Sequence, residues 1–112
     1  MTDIRQLRRA LTSRVLGSRG TAPIELRRAA FDTDLAAAGF GEPVSRLIEK
    51  VAYRSDQVTD EDFAAVRAMG LSEDEIFEVV VCAAIGQANR QYDSALAALA
   101  DATGRAEPSD EA

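Results

Sequence analysis

Leu71-Ser72-Glu73-Asp74-Glu75-Ile76-Phe77-Glu78-Val79-Val80-Val81-Cys82-Ala83-Ala84-Ile85-Gly86, continuing without a proline to Asp101, is the stretch whose reading decides the fold. Ser72 and Glu75 have the spacing of a capping box, in which the hydroxyl takes a free amide and the carboxylate reaches back to the cap. Glu73, Asp74 and Glu75 place negative charge at the positive end of a helix dipole. Phe77, Val81, Ala84, Ala88, Tyr92, Ala95 and Leu99 then recur at steps of three and four. The β-branched run Val79-Val80-Val81 would also suit a strand. Length, the capping box and the alanine-rich continuation favour a helix. About 28 helical residues would span about 42 Å. Between Ile76 and Ile85 only Glu78 is charged, so apolar residues cover the whole circumference. A helix of that kind is expected to be buried on all sides, by its own chain or by a second copy.

The 112 residues fit one domain. A chain of this size buries a modest core, so oligomerisation is a natural way to bury more. Net charge is −6 and uneven. Residues 1–28 carry seven arginines against Asp3 and Glu25, a net +5, and residues 29–112 carry −11. An acidic body argues against nucleic acid, which needs a basic face. The N-terminal arginines suit a solvated face, or docking on an acidic surface of a sister subunit. No stretch reads as a signal peptide or reaches the roughly 18 apolar residues of a membrane span. One cysteine excludes an intrachain disulfide. These features predict a soluble cytoplasmic protein with no membrane partner.

Residues 1–20 read as a basic amphipathic helix and loop, with Ile4, Leu7, Leu11 and Val15 on one face of a helix over 3–16. Residues 21–101 read as a helical domain. Thr21-Ala22-Pro23 opens its first helix, which carries Ile24, Phe31, Leu35 and Ala38 and ends at Gly39. Pro43 starts the next, with Val44, Leu47, Ile48, Val51 and Ala52 as its stripe. Thr59 caps a short helix carrying Phe63, Val66 and Met69, closed by Gly70, and a helical hairpin into the long helix follows. Residues 102–112 are acidic, lack large apolar groups and read as a disordered tail. The expected class is all-α, with about five helices and one long central helix.

Chemistry-bearing groups are few. The chain has no histidine, which removes the commonest general base and metal ligand, so neither a metal nor another cofactor is expected. Cys82 is the one soft nucleophile, and its mid-helix setting favours core packing over redox work. Asp60, Glu61 and Asp62, like Glu73, Asp74 and Glu75, stand where helix dipoles favour acids. Asn89, Arg90, Gln91 and Tyr92 form the most polar set on the long helix.

The run from Val58 through Thr59-Asp60-Glu61-Asp62-Phe63 to Met69-Gly70-Leu71-Ser72-Glu73-Asp74-Glu75-Ile76 resembles the AhpD-like, or carboxymuconolactone decarboxylase, superfamily. It is similar to that family's junction of an alanine-rich helix, a glycine and Leu-Ser-x-x-Glu-Ile. The resemblance spans residues 44–100 and implies a helical fold and tight homo-oligomers. Redox members carry Cys-x-x-Cys followed by His. Ser55, Val58 and Asp62 stand at those places, and Pro43 stands at the family's relay glutamate, one residue past Glu42. A thiol peroxidase needs a thiolate and a resolving thiol, so the resemblance does not carry that activity.

The leading expectation is a catalytically degenerate homo-oligomeric interaction or accessory module, with room for a small ligand between subunits. Phe77, Val81, Ile85 and Tyr92 are the expected subunit contacts. Gly86 is expected to let a helix backbone approach closely. The alternative is an enzyme: a lyase or isomerase using Arg90 on a carboxylate with Tyr92 or Glu78 for proton transfer, or a one-cysteine peroxide reductase using Cys82. A different protein as partner is a third alternative.

Overall fold

The computed structural model describes residues 3–17, 20–34 and 39–104. Among them are five α-helices, one short 3-10 turn and no strand, as the all-α expectation requires. They are α1 (Ile4–Val15), α2 (Ile24–Asp32), α3 (Glu42–Tyr53), the turn Ser55–Gln57, α4 (Asp60–Ala68) and α5 (Glu73–Ala102). The long helix is the last element, and at 30 residues it is about 45 Å long. All the other helices rest against it.

Local sequence explains most boundaries. Ser72 and Glu75 close a capping box at α5, and Thr59 and Asp62 close another at α4. Gly70 sits between them at φ 103°, where a side chain would be strained. Asp3 caps α1 by accepting from the Arg5 amide. Pro43 lies in the first turn of α3, which begins one residue earlier, at Glu42.

The end of α2 differs from the expectation. The helix stops at Asp32, and Thr33 takes the left-handed conformation at φ 52°. The Asp34 amide donates to Ala29 O (2.9 Å) and the Thr33 amide to Ala30 O (3.2 Å), the bond pattern of a Schellman ending built without glycine. A left-handed β-branched residue costs about 1–2 kcal/mol. Arg90 of α5 offsets that cost by donating to Phe31 O and to Thr33 Oγ1, each at 2.7 Å. Leu35 and Ala38, placed on this helix by periodicity, lie outside the described residues, as does the tail from residue 105.

The core gathers Leu26 and Ala30 of α2, Val44, Leu47 and Ile48 of α3, Val66 of α4, and Ile76, Val79, Cys82 and Ala83 of α5. Among the described residues α5 is covered on two sides and open on a third. Its buried residues also include Gly86, whereas Phe77 on the opposite side is 68% exposed. Burial of residues 76–85 on all sides is therefore not achieved by the described residues of one chain. The neighbours α2, α3 and α4 fill one flank, α1 lies along a second, and the line through Phe77, Ala84 and Ala88 faces outward.

Gly86 does admit a helix backbone, and that backbone belongs to α2 of the same chain. A Cβ built on Gly86 would stand 1.8 Å from Phe31 O and 2.6 Å from Phe31 C. Neither atom can yield without shifting α2. Gly86→Ala gains about 1 kcal/mol of helix propensity against an overpacking cost of about 1–3 kcal/mol or more. With a backbone carbonyl as the obstacle, the cost wins. Urea unfolding is expected to show a lower midpoint for Gly86→Ala with an unchanged slope.

Candidate functional site

Glu78, the one charge in the apolar half of α5, reaches across to the start of α2. Its carboxylate accepts the amides of Thr21 and Ala22, both at 2.8 Å. Burial pushes its carboxyl up, and those two amides together with Arg27 outweigh burial and hold it below the usual carboxylate range. Arg27 is only 4% exposed, contrary to its expected solvated or docking role. Its guanidinium donates to Ala22 O at 3.0 Å and Val15 O at 3.1 Å, and also to Gly17 O. Arg27 Nε lies 3.9 Å from Glu78 Oε1. The pair ties the loop after α1, the start of α2 and α5 into one network.

Cys82 lies one turn beyond Glu78 and is 1% exposed. Its thiol points at Val15 O, 3.5 Å away. Burial pushes it up to about 11, against a smaller opposite effect of Arg27. At pH 7 this leaves roughly one molecule in ten thousand as thiolate, the opposite of an activated cysteine. A cavity of about 250 Å³ opens nearby, lined by Arg14 and Val15 of α1 and by Phe77 and Val81 of α5 among others.

Ser55 and Val58 line a different space. Together with Val51, Phe63, Val80 and Gln87 they border an open groove of about 500 Å³ between α3, α4 and α5. None of the residues bordering it is titratable. Asp62 is not among them. Its carboxylate accepts two contacts from Lys50 Nζ (2.9 and 3.1 Å), the Thr59 amide (2.9 Å) and the Thr59 hydroxyl (3.2 Å). The Lys50 hydrogen bond is the main reason its carboxyl is held below the usual range.

Arg90 and Tyr92 do not converge. Arg90 Nε and Nη2 donate to Gln87 Oε1 (3.1 and 2.9 Å), and its remaining bonds go to α2. Four hydrogen bonds fix the guanidinium as a brace at the end of α2. Tyr92 lies on the α1 side, under the Arg8 guanidinium at 4.5 Å. Arg8 also pairs with Asp93 at 2.9 Å. Asn89 donates to Thr12 Oγ1 at 3.1 Å. The polar set of α5 is thus divided: Asn89 and Tyr92 turn to α1, Arg90 to α2, and Gln91 borders the groove beside Ser55 and Val58. Of the expected subunit contacts, Phe77 is exposed, Val81 and Tyr92 are half-buried beside α1, and Ile85 is half-buried.

No group of three or more histidine, cysteine, aspartate or glutamate side chains among the described residues could hold a metal ion. No helix among them is long and apolar enough to cross a membrane. Comparison with protein-family models, with curated proteins and with solved structures finds no match to this chain. The residues that sequence reading missed are Arg27 and Lys50, the buried or half-buried cations. An arginine on the otherwise apolar face of Ile24, Leu26, Ala30 and Phe31 could have flagged the first. For Lys50, the long separation from Asp62 left no local signal.

Two measurements test these environments. Cys82 is expected to react with a maleimide in native protein at a rate set by unfolding, and at full speed in urea. The Asp62 contribution to stability is complete above the ordinary aspartate range and is lost as pH falls through and below it, because the folded carboxyl titrates lower than the unfolded one. Stability of the wild type is therefore expected to drop more steeply below about pH 4 than that of Asp62→Asn, which is less stable at neutral pH.

Proposed function

We propose that this chain is a catalytically degenerate, AhpD-like helical protein of the cytoplasm that works as a homo-oligomeric interaction or accessory module. The observation that carries this reading is the outward line on α5. Of the apolar residues that recur most regularly from Phe77 to Leu99, Phe77, Ala84, Ala88, Ala95 and Leu99 are exposed, Phe77 and Leu99 by more than half, while Val81 and Tyr92 are half-buried beside α1. Covering a Phe or Leu of this kind is worth about 1.5–3 kcal/mol each. Exposed apolar faces of this extent are commonly interaction sites.

The chemistry of the site supports the non-enzymatic half of the proposal. The lone thiol is buried with a raised pKa, Glu78 and Arg90 are occupied in bracing α2, and Asp62 caps α4. The groove beside Ser55 and Val58 is open, lacks titratable groups and has the volume of a small-molecule site, so a small uncharged ligand held near a subunit boundary is part of the proposed role.

Light scattering on the eluting protein is expected to give a mass that is a multiple of the chain at micromolar concentration. Val81→Asp is expected to shift it to monomer or aggregate while helical circular dichroism is retained. Peroxide added to the purified chain should disappear no faster than in buffer. A wild type that stays monomeric, or brisk peroxide turnover, overturns the proposal.

A further inference from the structure

We infer that the cavity of about 250 Å³ where the end of α1 meets α5 is a binding site for a short aliphatic carboxylic acid, its carboxylate held by Arg27 and Arg14 and its chain laid against Val15, Phe77 and Val81. This site shares no residue with the groove beside Ser55 and Val58.

The buried guanidinium is the first reason. An arginine only 4% exposed needs partners for its donors. Arg27 donates through Nε to Ala22 O and through Nη1 to Val15 O and Gly17 O. Its Nη2 makes no hydrogen bond among the described residues. No fully buried side-chain nitrogen or oxygen among them lacks a partner, so Nη2 is the part of the group that the cavity reaches. The Gly20 backbone packs directly on the Arg27–Glu78 pair: a Cβ there would stand 2.6 Å from Arg27 Cζ and 2.8 Å from Glu78 Oε1. Three carbonyls and this backbone hold the guanidinium in place, with the Nη2 hydrogens turned to the cavity.

The second reason is the balance of charge. Glu78 is the one acid bordering the cavity. Its two oxygens already accept the Thr21 and Ala22 amides at the positive start of α2, with Arg27 beside them. Arg14 is a second cation on the cavity, exposed and without an ion pair among the described residues. Two cations against one satisfied carboxylate attract an anion and disfavour a cation. A bound carboxylate takes a charge-assisted bond from Nη2 and leaves its other oxygen to face Arg14.

The walls set the remainder of the ligand. Val15, Phe77 and Val81 offer apolar surface, and the Cys82 thiol is turned to Val15 O. At the roughly 30 Å³ that a water takes in the liquid, the cavity holds about eight non-hydrogen atoms. Two are the carboxylate oxygens, which leaves about six carbons. A polyhydroxy acid would press unpaired hydroxyls on Phe77 and Val81. An alcohol or alkane would fill the same walls and give Nη2 no ionic partner.

Hexanoate titrated into the full chain labelled with nitrogen-15 tests the site. The Arg27 Nε–H, bonded to Ala22 O, reports on the guanidinium. Its resonance and the amides of Gly20, Val81 and Cys82 are expected to shift and saturate, while the side-chain amides of Gln87 and Gln91 in the other groove stay in place. Hexan-1-ol is expected to bind about tenfold more weakly. Arg14→Gln, an exposed change between two good helix formers, is expected to weaken hexanoate about threefold to fivefold, the worth of one exposed ion pair, and to leave hexan-1-ol unaffected. Inorganic phosphate is expected to give no saturable shift. A spectrum that hexanoate leaves unmoved, an alcohol that binds as well as the acid, or an affinity indifferent to Arg14→Gln overturns the site. Phosphate binding as tight as that of hexanoate assigns the cavity to a bare anion and overturns the acid. None of these outcomes bears on the homo-oligomeric reading, which light scattering decides.

Discussion

The structure depends on the way α5 grips α2 at both ends. Glu78 binds the free amides where α2 begins, and Arg90 binds the carbonyl and hydroxyl where it finishes. An acid sits at the positive end of the α2 dipole and a base at its negative end, each supplied by the neighbouring helix. Glu78, Cys82, Gly86 and Arg90 are spaced four apart and so form one line on α5. Between the two charged clamps, Cys82 and Gly86 are small enough to let α2 lie close. The two helices must therefore run parallel and in a single register. A shift of one turn would put a carboxylate against a carbonyl and Phe31 against a side chain.

This line explains why one half of α5 is finished and the other is not. Everything that fixes α2, α3 and α4 uses the side of α5 that holds Val79, Ala83 and Gly86. The arm α1 adds polar contacts through Arg8, Thr12 and Asn89 on a second side and buries none of its own residues. No further element among the described residues can reach the third side. The apolar residues there are consequently left uncovered by α2, α3 and α4, whose places against α5 the clamps and the core fix.

Much of this could be read in advance. The capping box of α5, Thr59 as the cap of α4, the all-α class, the long last helix and the need of Gly86 for a close neighbour follow from local spacing and side-chain size. The stripe on α5 was also legible, but not its direction. Alanines and valines recur all round residues 76–88, so periodicity alone cannot tell an inner face from an outer one. What decides is the position of the polar residues. Glu78 and Arg90 look like surface groups by composition, yet they mark the buried contact because their partners are the ends of another helix. The end of α2 was misplaced for a related reason: Thr33 adopts the left-handed turn with help from residue 90, far along the chain, while Gly39 carried the usual local sign.

The same reasoning bears on the proposed loss of chemistry. Under an AhpD-like reading, the positions of the thiol pair and histidine fall at Ser55, Val58 and Asp62. The first two border the open groove, where side chains are lightly used. The third is bound into the cap of α4 and to Lys50, and is shielded from that groove. A histidine there could not reproduce the short carboxylate bridge between the Thr59 amide and a lysine, because imidazole offers one acceptor and would repel the ammonium once protonated. Lys50 would then be left half-buried beside no acid, a costly state for a charge. Asp62 therefore occupies its site as part of the fold's electrostatics. The chain has committed this position to holding α3 and α4 together, and the groove beside it keeps its shape without a group able to move a proton.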